Sequence, residues 1–154
     1  MNRKLLSAGL VFALGAGYAL TASSQVKPET LVKERQAVMT LQGKYFDNSL
    51  RLMARGTLPY DASVVARNAV FLDALIKMPW DGFDPSTKDI TSRAAPAVFT
   101  DTSKFKEARD LTQSEISKLV AISKGGDEAA VKAQINAVNK ACGTCHESFR
   151  TRRR

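Results

Sequence analysis

The stretch Cys142-Gly143-Thr144-Cys145-His146 decides how this chain is read. Two thiols three residues apart, with an imidazole directly after the second, form the attachment signature of a c-type haem. Both sulfurs add to porphyrin vinyl groups and the histidine ligates the iron. On a helix, Cys142 and Cys145 are i,i+3 neighbours with Cβ atoms roughly 5–6 Å apart, and His146 stands i+4 from Cys142. One flat ligand can then be gripped by all three. A disulfide at this spacing would close a very short loop and stabilise little. A thioredoxin-type pair belongs in a βαβ context that the sequence does not offer. Zinc needs a fourth ligand, yet these are the only two Cys and the only His in the chain.

Around the motif, Val131, Ile135, Val138, Cys142, Cys145 and Phe149 follow spacings of 4, 3, 4, 3 and 4. That is an a/d seam, and it predicts a helix over 127–150 capped by Asp127. Both cysteines fall on the seam, so an attached haem would sit between this helix and the bundle interior. Upstream, a helix over 103–124 carries Phe105, Ala108, Leu111, Ile116, Leu119, Val120 and Ile122, and Gly125-Gly126 ends it. Residues 79–101 hold Pro79, Gly82, Pro85 and Pro96 without sustained periodicity, which predicts a long loop. Trp80, Phe83 and Phe99 are its candidate anchors on a core or a flat ligand.

Asp61 caps a second helix that Pro79 stops near Lys77; Val64, Val65, Asn68, Phe71, Leu72, Leu75 and Ile76 trace its stripe. The first helix opens at Lys27-Pro28-Glu29, with Pro at N1 and an acid in the first turn, and ends near Arg55-Gly56. Over 28–54, Leu31, Val38, Tyr45 and Leu52 recur every seven residues beside a second column of Met39, Phe46 and Met53. The fold class expected is all-α, an antiparallel four-helix bundle with a covalently attached haem among its facing helices.

Before the bundle, Asn2-Arg3-Lys4 precedes an apolar run from Leu5 to Leu20 and the small-residue exit Thr21-Ala22-Ser23-Ser24. This reads as a secretory signal peptide over 1–24, leaving 25–154 as the mature domain. The run is short of the roughly 20 apolar residues needed to span a bilayer, so no stable membrane insertion is expected after cleavage. Loss of Arg3 and Lys4 takes the formal net charge from +8 to +6. Part of the remainder is terminal, in Arg150, Arg152, Arg153 and Arg154. Such a tail is commonly just solvated; the sharper reading is docking to an acidic redox partner protein. An exported chain is a poor nucleic-acid binder.

With these features in place the chain resembles the cytochrome c′ family over essentially all of its mature length. The carrying residues are Cys142 to His146 near the C-terminus, Lys27-Pro28-Glu29 with Arg35-Gln36, Pro79-Trp80 with Phe83, Ala94-Ala95-Pro96-Ala97-Val98-Phe99, and Arg150. The resemblance implies that Cys142 and Cys145 are the thioether sites of one haem c and His146 the iron ligand. It implies that Arg35 and Gln36 contact the haem propionates, for which a guanidinium is suited, and that Arg93 meets the haem edge. Arg150 resembles the arginine beside the histidine ring. Met39 falls at the distal position, where cytochromes c′ often carry an apolar residue that leaves the iron five-coordinate. Relatives called cytochrome c-556 use a Met there as sixth ligand.

The function expected is an exported, periplasmic monohaem cytochrome with a five-coordinate iron. It would transfer single electrons, bind nitric oxide and carbon monoxide, or do both. The alternative is a six-coordinate, low-spin electron carrier with His146 and Met39 both bound, since thioether ligation raises the potential. A peroxidase or oxidase is not expected, because that chemistry needs a positioned distal acid or base and the only His is already used. The family is commonly dimeric through its first two helices, and the wide apolar face of helix one is compatible with a homodimer.

Overall fold

The computed structural model describes residues 26–125 and 127–152. The signal peptide expected over 1–24, Gly126 and the terminal Arg153 and Arg154 lie outside the described residues. The chain forms α1 (Pro28–Tyr45), a π turn (Phe46–Leu50), α2 (Arg51–Ala54), α3 (Ala62–Leu75), α4 (Ala97–Thr100), α5 (Thr102–Ile122) and α6 (Glu128–Phe149). Four arms make the bundle: α1 with α2, then α3, α5 and α6. The longest pairing is α5 on α6; α3 packs on α1 and α5, while the first arm meets α6 through α2.

Local chemistry accounts for the helix ends. The Asp61 carboxylate accepts from Ser63 N at 2.9 Å and Val64 N at 3.1 Å. Asp127 does the same for Ala129 and Ala130 at 2.9 and 3.0 Å. Each satisfies two amides that the first turn leaves without a partner. Gly56 stands at φ 74°, and behind it Thr57 N and Leu58 N donate to Leu52 O. Only glycine takes that left-handed turn without a steric penalty.

Several expectations are corrected. The first helix is interrupted, since the five-residue π turn Phe46–Leu50 sits inside it. The Met39, Phe46 and Met53 column faces inward, and Leu31, Val38, Tyr45 and Leu52 lie half-buried at its margin. In α3, Phe71 is 41% exposed, because it leans on the Tyr45 ring at 5.1 Å rather than entering the core; in α5, Leu111 faces outward and Thr112 is buried instead, its hydroxyl donating to Ala108 O. Residues 79–101 are not bare loop: they hold 3-10 turns at Trp80–Phe83 and Pro85–Thr87 and then α4. The two turns pack on α1, and Ala94 makes an antiparallel bridge with Arg150.

The core is Leu50, Val65, Ala69, Ile116, Leu119, Ile135 and Val138, all fully buried, with Val131, Leu72, Ile76, Phe46 and Met53 around them. Burying each large aliphatic side chain is worth roughly 1.5–3 kcal/mol. Ile135, on the α6 seam two turns before Cys142, tests the seam directly. Ile135→Ala should destabilise by about 2–5 kcal/mol in urea denaturation; a loss under about 1 kcal/mol would place the seam elsewhere.

Candidate functional site: a cavity between the first and last helices

Where α1 and α6 stand apart, a cavity of about 770 Å³ opens into the bundle. That is within the roughly 300–1,000 Å³ range of small-molecule and cofactor sites. All seven site residues expected from the sequence line it: Arg35, Gln36 and Met39 from α1, Arg93 from the segment before α4, and Cys142, Cys145 and His146 from α6. Arg150, just past α6, lines it as well.

On the α6 wall the two thiols are unbonded and half-buried. Burial, with the charge of Asp47 and the neighbouring Cys145, pushes the Cys142 thiol up to about 11. Burial also raises Cys145, against the pull of Arg150. Among the described residues no group of three or more His, Cys, Asp and Glu side chains is arranged to hold a bare metal ion. The His146 imidazole is held below its ordinary range by burial and by the charges of Arg150 and Arg93, with Asp47 opposing. That favours the neutral form, in which a ring nitrogen can bind a metal.

On the α1 wall the decisive residue is Arg35. Its side chain is only 5% exposed. One amino group donates to Gly82 O, and the guanidinium lies 4.4 Å from the Phe83 ring centroid. Burial lowers its proton affinity. Among the described residues no carboxylate pairs with it. A buried cation without an anion is costly, so the cavity has a built-in preference for an acidic ligand. Around Arg35 runs an aromatic chain: Phe83 stacks on Trp80 at 6.0 Å, and Phe105 meets Phe83 at 4.9 Å and Phe149 at 5.1 Å. All four rings line the cavity. A flat apolar body carrying carboxylates suits such walls, and haem is such a body; the residues present fit it.

Arg93 is fixed at the other end. Its Nε and Nη2 donate to Thr151 O at 3.0 and 2.8 Å, Thr151 N donates to Arg93 O at 2.9 Å, and Ala95 N donates to Phe149 O at 3.0 Å. This clasp holds Arg93 and Arg150 beside a smaller recess that also reaches Gly143 and His146. Phe99, an expected anchor, is half-buried and does not line the cavity.

Residues 30–150 match the family Cytochrome C′. The chain belongs to the cytochrome c′ family. It is 37% identical over 125 residues to the cytochrome c′ of Rubrivivax gelatinosus, covering 80% of this chain and 96% of that protein. The solved structure of that protein overlays with a TM-score of 0.76 at 36% identity, covering 81% and 98%. A ferrous variant of Alcaligenes xylosoxidans cytochrome c′ with bound NO gives 0.76 at 31%, covering 83% and 98%; another variant, carrying carbon monoxide, gives 0.75 at 32%, covering 82% and 98%. A cytochrome c-556 of Agrobacterium tumefaciens is more distant, 28% identical over 122 residues, covering 79% and 98%. Cytochromes c′ carry haem c, and the two cysteines it requires are present here.

Sequence reasoning did not single out Phe105, Asp47 or Arg51 for the site, although all three line the cavity. Phe105 read as ordinary core. For the other two the available signal was their i,i+4 spacing, which is also that of a solvated surface pair.

Gly82 underlies the α1 wall. A Cβ there would lie 2.5 Å from Arg35 Cβ and 2.7 Å from Leu31 O, whereas one at Gly125 meets nothing within 4 Å. Gly82→Ala should cost about 1–3 kcal/mol in urea denaturation, with Gly125→Ala within about 0.5 kcal/mol of the parent. Equal effects would show that the close approach is not a constraint.

Proposed function

We propose that this cytochrome c′ is an exported, periplasmic monohaem protein, residues 25–154 after removal of 1–24, that exchanges single electrons and binds nitric oxide and carbon monoxide. The observation carrying this reading is that the two thiols and the imidazole of α6 share one cavity with the buried cation of α1. When bound, haem would supply an iron that exchanges one electron and takes a small gas. The Cys142 and Cys145 sulfurs would hold the group through two thioether links. His146 would ligate the iron, Arg35 and Gln36 would take the propionates, and Arg93 would contact the edge.

Met39 lies on the α1 wall, half-buried. We assign it to packing beside an open coordination position. Cytochromes named c′ at 37% and 32% identity support this over the more distant c-556. Two other polar side chains of α1 that line the cavity are engaged: Thr40 Oγ1 donates to Gln36 O at 2.9 Å, and Gln42 Nε2 to Leu75 O at 3.1 Å. Met39 itself offers no donor, and an apolar distal side suits neutral diatomics over dioxygen, since distal polarity makes that choice. The bound NO and carbon monoxide in the Alcaligenes xylosoxidans protein support the same assignment. No described helix is long and apolar enough to cross a membrane.

Absorption spectra with and without carbon monoxide test the assignment. The ferrous protein should be high-spin and take up carbon monoxide, and Met39→Ala should leave the spin state unchanged. A low-spin ferrous form that Met39→Ala turns high-spin would establish the six-coordinate alternative. We also assign the outer faces of α1 and α3 to a homodimer contact, because Leu41, Val70 and Phe71 are 42%, 51% and 41% exposed. Val70→Asp should then shift sedimentation from dimer to monomer with an unchanged spectrum. A parent protein that sediments as a monomer would refute the contact.

A further inference from the structure

Asp47 and Arg51, charged residues of the cavity wall, take no part in the haem contacts assigned above. Both lie at the π turn, Asp47 within it and Arg51 directly after. The wider turn carries Phe46, Asp47 and Arg51 along one wall of the cavity that holds Cys142 and His146; π turns of this kind recur at functional sites.

Arg51 Nε stands 3.2 Å from Asp47 Oδ1. That nitrogen is buried and hydrogen-bonded to nothing, so charge rather than a directed bond holds the pair. Asp47 and Arg51 line the same cavity as Cys142 and His146, while Arg93 and Arg150 line both that cavity and the recess at His146. The site thus sets one carboxylate against two guanidinium groups.

We propose that Asp47, held by Arg51, sets the reduction potential of the iron by opposing Arg93 and Arg150. Reduction adds one electron, taking ferric iron to ferrous and lowering the charge at the site by one. A nearby carboxylate stabilises the more positive ferric state and lowers the potential; a nearby guanidinium raises it. About half of the Asp47 side-chain surface is open to solvent, so its effect is screened and should grow as ionic strength falls. This inference rests on the haem reading above.

The test is a spectroelectrochemical titration of the haem-loaded protein and its variants. Asp47→Asn should raise the midpoint potential, and Arg51→Gln, which leaves the carboxylate unscreened, should lower it. Asp47→Glu keeps the charge and should stay near the parent value. Spectra should retain the parent coordination throughout, separating electrostatics from a change of ligand. Absence of a shift in both single variants, shifts of one sign in both, or a Glu variant displaced as far as the Asn variant would overturn the proposal. Failure of the parent to acquire haem would instead overturn the function proposed above.

Discussion

The structure is arranged around a positive charge kept out of water. Arg35 is buried on α1, donating to a backbone carbonyl and lying over a phenyl ring, with no carboxylate beside it among the described residues. Neither partner neutralises a guanidinium, and a hydrogen-bonded cation in an apolar wall still lacks an anion. Much of what surrounds it follows from that. Gly82 lacks a Cβ so that its carbonyl can approach; the Thr87 hydroxyl lies 3.2 Å from the same carbonyl and makes its shorter bond, 2.7 Å, to Asp84 O. The 3-10 turns that carry both residues pack on α1. The stored electrostatic cost becomes selectivity for an acidic, flat ligand.

The two ends of the cavity solve different problems. Near Arg35 the walls are aromatic, and edge-to-face contacts give them rigidity with little polar character. Near His146 three charges of mixed sign lie within reach of the imidazole, and a backbone clasp fixes two of them. Distal apolarity and proximal charge are separate levers on haem iron, the first on which small molecule enters and the second on potential.

Much of the fold was legible because its signals are local. The Asp61 and Asp127 caps, the Gly56 stop and the α6 seam each depend on residues within a turn or two of one another. The expected site residues were legible through a five-residue motif and a family resemblance, and the cavity wall contains all of them. What could not be read depends on distant partners. Residues 79–101 take their form from α1 and from Phe149, Arg150 and Thr151, which lie far along the chain. Phe71 belongs to a valid helical stripe, but periodicity cannot say which apolar side of α3 meets the core when Tyr45 offers a second contact. The π turn adds one residue to a hydrogen-bonded ring, a choice set by packing that no spacing in Phe46–Leu50 announces. Asp47 and Arg51 were therefore indistinguishable from a surface ion pair.

The cavity's walls come from the first and last helices of the bundle, and this has a consequence for how the site is assembled. Any fragment that contains both the cation on α1 and the thiols on α6 must run from Arg35 to Cys145. The ligand-binding surface forms only when the longest loop in the protein closes, the step with the highest entropic cost. The thiols and histidine, by contrast, sit within five residues and are present in the unfolded chain. The α6 side of the site is thus set locally, and the α1 side waits on long-range closure. The last-made helix holds a five-residue motif, and the first holds the distant cation that completes the cavity wall.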